Sequence, residues 1–123
     1  MYVFLCMIFM HILDDFCLQG ILESMKQADW WRRQDSYSEM YKYDYLVALV
    51  THAFSWTFSV MIPVVVVSSG VLNTAFYTVF IANVIIHATV DDAKANKHRI
   101  NLLLDQLIHL LQIVGTFFIL MVL

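Results

Sequence analysis

Four apolar runs, each about 20 residues long, dominate the sequence, and no other feature limits the fold so strongly. They cover residues 1–22, 45–67, 71–90 and 100–123. A helix needs about 20 apolar residues to cross the hydrocarbon core of a bilayer. Charged residues make up only 14% of the chain, well below the share that is typical of soluble domains. The sequence therefore predicts an all-α, multi-pass membrane protein that folds as a single four-helix bundle.

The basic residues predict the orientation of these helices. All seven lie in two stretches, one between the first and second runs and one between the third and fourth. Because basic loops tend to stay on the cytoplasmic side, we expect both stretches in the cytoplasm and both termini outside. The first stretch, residues 23–44, also mixes tryptophans and tyrosines with charges, which favours a short helix on the membrane surface. A solvated loop is the alternative.

Histidines and aspartates interrupt the apolar runs in a regular way. An aspartate at the centre of a membrane helix costs about 2.5–3.5 kcal/mol, so several of them need a compensating partner. Three of the runs contain a histidine and an aspartate four residues apart, which places both side chains on one helix face. In the expected orientation all these groups lie at a similar depth near the cytoplasmic side. The set consists of His11, Asp15, His52, His87, Asp91, Asp105 and His109.

This combination of side chains predicts a metal site. Imidazole and carboxylate ligands together suit Zn²⁺, Fe²⁺ or Mn²⁺ better than Ca²⁺ or Mg²⁺, which prefer oxygen ligands only. We therefore predict that all seven residues bind one or two divalent transition-metal ions, with zinc as the first choice. Some of the aspartates would instead accept a hydrogen bond from a metal-bound imidazole. The alternative is a metal-free network of His–Asp hydrogen bonds that ties the helices together.

A metal-dependent hydrolase that acts on a lipid or lipid-linked substrate is the first functional hypothesis. An aspartate that does not bind the metal can act as a general base, so Asp15 and Asp105 are candidate catalytic residues. Lys94 shares a helix face with Asp91 and is a third candidate, because it can bind an anionic head group. It could equally extend to the membrane interface. Membrane lipids are the expected partners.

Other functions stay open on the sequence alone. The metal could clamp a non-catalytic module that oligomerises or binds a membrane partner, since lipid provides no hydrophobic drive between helices. Ion transport needs polar groups in both halves of the membrane, and the outer halves of these runs are almost entirely apolar. A phage holin is a further alternative. Without a basic tract the chain is not expected to bind nucleic acid.

The polar residues also follow a longer pattern. It reads His11-x3-Asp15-Phe16-x2-Gln19 with Lys26, then His52, then His87-x3-Asp91-x2-Lys94, and finally Asp105-Gln106-x2-His109. This pattern resembles the domain-of-unknown-function 3307 family of short membrane proteins from bacteria and their phages. The resemblance implies a location in the bacterial inner membrane, or a phage-encoded equivalent, and groups these residues as one site. It implies no known reaction. A looser likeness, in the style of the motifs only, is to bacterial inner-membrane metal-dependent hydrolases.

Overall fold

The computed structural model describes residues 1–123 as helices joined by turns, without any β-strand. The all-α prediction is therefore confirmed. Three helices, here α4, α5 and α6, are long and apolar enough to cross a membrane. The elements are, in chain order, α1 (Tyr2–Leu13), a π-helix (Asp14–Leu18), α2 (Leu22–Met25), α3 (Ala28–Arg32), a 3-10 turn (Glu39–Tyr41), α4 (Asp44–Val67), α5 (Thr74–Ala95) and α6 (Leu102–Met121).

The first apolar run is shorter and less regular than predicted. Its α-helix has 12 residues and is followed by 5 residues of π-helix, instead of one continuous helix over residues 1–22. Gly20 then adopts a φ of +53°, a left-handed conformation that glycine adopts without steric cost and that ends the helix. Three of the four predicted spans thus reach the length that a membrane crossing requires.

Two asparagines fix where the last two long helices begin. The side chain of Asn73 accepts a hydrogen bond from the Phe76 amide at 3.0 Å, and Asn101 accepts one from the Leu104 amide at 2.9 Å. Such caps satisfy amides that have no partner inside the helix. The helices therefore start two or three residues later than predicted. At its other end α5 continues to Ala95, beyond the predicted limit at residue 90.

The connection between the first two apolar runs folds against the end of α5. Asn96 joins them, because its side chain accepts from the Ala28 amide at 2.7 Å and donates to the Lys26 carbonyl at 3.0 Å. Trp31 adds a hydrogen bond from its indole nitrogen to the Met25 carbonyl at 2.7 Å. The short helix predicted in this stretch corresponds to the five-residue α3. Its position on a membrane surface stays a prediction.

The long helices enclose a small apolar core at one end of the molecule. Helix α4 packs against α1, α5 and α6, and α1 and α5 both pack against α6. Large apolar side chains such as Ile81, Leu103 and Leu111 point outwards and are exposed. An apolar surface of this kind suits contact with lipid rather than with water. The apolar core consists of Met7, Trp56, Val60, Met61, Val64, Phe76 and Ile113.

Candidate metal centre

The interior of this protein is more polar than apolar. Of its 23 buried residues, 13 are polar or charged and 10 are hydrophobic. Buried polar groups are costly unless each one has a partner, so a cluster of this size requires an explanation. We call the cluster the His/Asp centre; it contains His11, Asp14, Asp15, Lys26, His52, His87, Asp91, Asp105 and His109.

A first group of potential ligand atoms gathers around His52. Its Nε2 atom lies 3.2 Å from Nε2 of His87 and 3.4 Å from Oδ1 of Asp15. Oδ2 of Asp91 lies 3.5 Å from the same atom of His52. Zinc–nitrogen bonds of 2.0–2.1 Å in a tetrahedral site place neighbouring ligand atoms about 3.3 Å apart. The Asp15, His52 and His87 atoms all lie within 4.8 Å of one another, so these three could hold one ion, and Asp91 lies beside them.

A second group lies beside the first and shares His87 and Asp91 with it. His87, Asp91 and His109 each offer a ligand atom within 4.8 Å of the other two. Nε2 of His109 lies 3.5 Å from Oδ1 of Asp91 and 3.3 Å from Oδ1 of Asp105. Asp91 thus presents one carboxylate oxygen to each group. Asp91 could therefore bridge two ions if both groups were occupied.

Hydrogen bonds determine which nitrogen of His109 can bind a metal. Gln112 donates from Nε2 to the backbone and side-chain oxygens of Asn83, both at 3.2 Å, so its Oε1 faces Nδ1 of His109 at 3.0 Å. Nδ1 therefore donates the proton, and the lone pair of a neutral imidazole is on Nε2. That nitrogen and Oδ1 of Asp105 are both buried without a hydrogen-bond partner. Two facing acceptors need a cation between them, either a metal ion or a proton.

The charge balance of the centre also indicates that a cation or protons are needed there. Lys26 donates to Oδ2 of Asp91 at 2.6 Å, and Lys94 donates to Oδ2 of Asp105 at 2.5 Å. Two further carboxylates have no ammonium partner, so with neutral histidines the centre has two excess negative charges. In a buried site such an excess is costly, and one divalent cation or two imidazole protons would cancel it. The four carboxylates are Asp14, Asp15, Asp91 and Asp105.

His11, a predicted ligand, lies beside the two groups rather than within them. Its Nδ1 accepts a hydrogen bond from the Trp56 indole at 2.9 Å, and its Nε2 lies 3.1 Å from Oε1 of Gln106. Gln106 in turn donates to Asp15 at 3.0 Å and to Asp105 at 3.1 Å. Both ring nitrogens of His11 are therefore engaged. Through Gln106, His11 orients two carboxylates of the centre.

Asp14 occupies a different position from the one the sequence predicts. On a regular α-helix it would point about 100° away from Asp15, towards a water-filled mouth or a loop lysine. Instead it is 1% exposed and accepts hydrogen bonds from Ser55 at 2.9 Å and Ser59 at 3.1 Å. The wider turn of the π-helix brings adjacent side chains closer in direction, so both aspartates face inwards. No spacing rule for α-helices could have indicated this.

Lys26 is a second residue that helical spacing does not assign to the site. It follows α2, yet its side chain is 4% exposed and its ammonium group also donates to Gln19 at 2.9 Å. Only the longer pattern of polar residues includes it. Asp92, the residue after the buried Asp91, instead pairs with the loop residue Lys97 at 2.6 Å. His98 is exposed.

No family model matches the chain, and comparisons with curated proteins and with solved structures found no match either. The resemblance to the domain-of-unknown-function 3307 family stays a prediction. The function of the chain therefore has to be inferred from the chemistry of the His/Asp centre.

Proposed function

We propose that this chain is a membrane-embedded metal-binding protein whose His/Asp centre holds a divalent transition metal, with zinc as the first choice. The mutual spacing of the Asp15, His52 and His87 ligand atoms carries this proposal. Asp15, His52, His87 and Asp91 bind the first ion. A second ion is held by His109 and Asp105 together with the other oxygen of Asp91. An oxygen that also accepts from an ammonium group keeps a lone pair for the metal.

The proposed setting is a four-helix membrane bundle. The first apolar run, α1 together with the π-helix, completes the bundle formed by α4, α5 and α6. This is supported by the packing of α1 against α4 and α6 and by the outward apolar faces of the long helices. Both basic stretches lie in the cytoplasm, both termini lie outside, and the centre is near the cytoplasmic surface.

A hydrolytic role is the more specific part of the proposal. A divalent metal lowers the pKa of a water molecule that it binds and so provides a nucleophile near neutral pH. When only the first ion is bound, Oδ1 of Asp105 binds no metal and accepts no hydrogen bond, so it could take the proton from that water and return it to the leaving oxygen. In this reaction the water oxygen bonds to the ester centre and the ester bond breaks. The depth of the centre favours a lipid or lipid-linked substrate.

One observation favours a second function, a metal clamp without catalysis. The candidate ligands come from four separate elements, namely the π-helix, α4, α5 and α6. One or two ions would therefore connect every part of the proposed bundle, and such a module could form a homo-oligomer or bind a membrane partner. If the metal acts only as a clamp, its removal should lower the unfolding temperature strongly. If the protein is a hydrolase, removal of the metal should abolish activity while most of the fold persists.

Elemental analysis of purified protein tests the metal directly. We expect at least one equivalent of transition metal per chain after exposure to a mixture of zinc, iron and manganese. His87→Gln removes a ligand of the first ion and should lower the metal content by about one equivalent per chain. His98→Asn is the matched control, because His98 is exposed and outside both groups. Wild-type protein without stoichiometric metal, or equal losses in the two variants, contradicts the proposal.

A further inference from the structure

A polar pocket opens beside the His/Asp centre, and two lysines in its wall, Lys26 and Lys94, pair with Asp91 and Asp105 of the centre. Its volume is about 270 Å³, and Lys26, Lys94 and His98 line it together with Gln19 and Glu23. We call it the lysine pocket. Glu23 is the only acidic residue in its wall, so basic groups outnumber acidic ones. Three other cavities of the protein have mainly apolar walls, as expected for faces that contact lipid.

The lysine ammonium groups have hydrogen-bond donors to spare. An ammonium group has three N–H donors. Lys26 uses two of them, on Gln19 and Asp91, and Lys94 uses one, on Asp105. Three donors therefore stay available for a ligand in the pocket. Lys94 is only half-buried, and His98 is exposed at the pocket wall, so a ligand can approach from outside.

We propose that the lysine pocket binds the phosphate group of a ligand next to the metal centre. A phosphate group has up to two negative charges and several acceptor oxygens, which fit two ammonium groups and an imidazole. One consequence of this inference, the coupling of phosphate binding to metal binding, rests on the proposed function. A cation on Asp91 and Asp105 cancels the charge that the two lysines now face. Metal occupancy should therefore strengthen phosphate binding, and phosphate should strengthen metal binding equally.

Phosphorus-31 NMR and calorimetry in phosphate-free maltoside micelles test this pocket. Inorganic phosphate is one probe, and phosphatidic acid is the other, with diacylglycerol as its phosphate-free control. We expect saturable binding of at least one phosphate probe. Tighter binding of phosphatidic acid assigns the pocket to a lipid head group, whereas tighter binding of inorganic phosphate assigns it to a soluble ligand. Either result supports the pocket, and no binding of either probe overturns it.

Three variants locate the binding. Lys94→Met should weaken it about tenfold or more, the loss expected from one charge-assisted hydrogen bond. His98→Asn, which changes an exposed residue in a left-handed conformation that asparagine tolerates, should weaken it severalfold and leave the fold intact. Lys97→Met is the matched control, because Lys97 pairs with Asp92 outside the pocket. Equal affinities in all three variants overturn the assignment.

Measuring every variant with zinc and with chelator separates this inference from the proposed function. Phosphate binding that depends on Lys94 and His98 but not on zinc supports the pocket and contradicts its coupling to the metal, whereas a lack of stoichiometric metal contradicts the metal centre. Stoichiometric zinc in a protein that binds neither phosphate probe supports the centre and overturns the pocket. Elemental analysis of Lys94→Met shows whether its loss of phosphate comes through loss of metal, because Lys94 also pairs with Asp105.

Discussion

The two ends of this small molecule are stabilised in different ways. At one end lies the apolar core, with side chains such as Met61 and Ile113. These side chains are chemically alike, and their contribution to stability depends on how well their shapes fit together. At the other end the polar groups of the His/Asp centre have specific hydrogen-bond or ion-pair partners, apart from a few buried atoms such as Oδ1 of Asp105 and Nε2 of His109. Trp56 lies at the boundary, packed in the core but hydrogen-bonded to His11 and stacked on His87 at 4.3 Å between ring centroids.

In the membrane setting proposed for the three long apolar helices, this difference has a physical consequence. Lipid tails are as apolar as leucine or valine, so the apolar core gains packing contacts from folding but little hydrophobic drive. Polar side chains have no comparable partner in lipid, and their hydrogen bonds are directional. The register of the helices should therefore be determined mainly by the His/Asp centre, although fewer than half of the residues in each helix face it.

Asp91 should show the largest effect in this comparison. It is buried, pairs with Lys26 and contributes to both ligand groups. Asp91→Ala leaves Lys26 as a buried unpaired charge, which typically costs about 3–5 kcal/mol, and should abolish metal binding. Unfolding in a denaturing detergent, followed by circular dichroism, measures the first effect and elemental analysis the second.

Asp92 provides the matched control for that experiment. It is the next residue along α5, but it pairs with Lys97, whose side chain is half exposed. Asp92→Ala should cost about 1 kcal/mol or less and leave the metal content unchanged. If the two variants lose stability equally, the polar end has no special role in the fold.

A change in the apolar core should affect stability alone. Ile113 is fully buried there, and Ile113→Ala creates a cavity that typically costs about 2–5 kcal/mol. We expect the same metal-to-protein ratio as in the wild type, measured on the folded fraction. A fall in that ratio would show that the apolar core and the His/Asp centre are one cooperative unit.

Gln112 should affect metal affinity more than stability. Its Oε1 accepts the Nδ1 proton of His109 and so fixes which nitrogen faces the carboxylates. Gln112→Leu keeps the size of the side chain but removes this support, and such losses typically reduce metal affinity about 10–100-fold. Competition with a zinc indicator measures the change. Gln34→Leu, at an exposed position, is the control; an unchanged affinity in Gln112→Leu contradicts the role given to this hydrogen bond.

The smallest effect on stability is expected in α3, which belongs neither to the apolar core nor to the His/Asp centre. Arg32 and Asp29 form an ion pair at 3.0 Å in which both side chains are more than half exposed. Solvent weakens such pairs, so Arg32→Ala should change the free energy of unfolding by less than about 1 kcal/mol. The same detergent unfolding assay measures it. A larger loss would mean that α3 is stabilised by contacts beyond this ion pair.

Much of the centre could be predicted from the sequence because regular helices preserve spacing. Asp91 follows His87 by four residues in α5, and His109 follows Asp105 by four residues in α6, so each pair lies on one face. The cost of burying such groups in an apolar segment then suggests that they meet. In the structure these two pairs meet at Nε2 of His109, which lies within 3.5 Å of both carboxylates.

The parts that the sequence did not reveal depend on irregular or distant geometry. Asp14 turns inwards because of a π-helix, and no local propensity predicts where a helix widens by one residue. Lys26 reaches Asp91 from a turn that is 65 positions away in the chain, so helical periodicity gives no information about it. The length of the first span was overestimated for the same reason, because apolar composition does not show where a helix is interrupted.

The position of Trp56 gives the protein a built-in optical reporter. Its ring lies 4.3 Å from that of His87 and 5.4 Å from that of His109, and imidazolium quenches indole fluorescence at such range. Only three tryptophans occur in the chain, and the other two, Trp30 and Trp31, are in α3. Phenylalanine at those two positions would leave a single emitter. The fluorescence intensity of Trp56 would then distinguish protons from a metal ion at His87 and His109, without any attached dye.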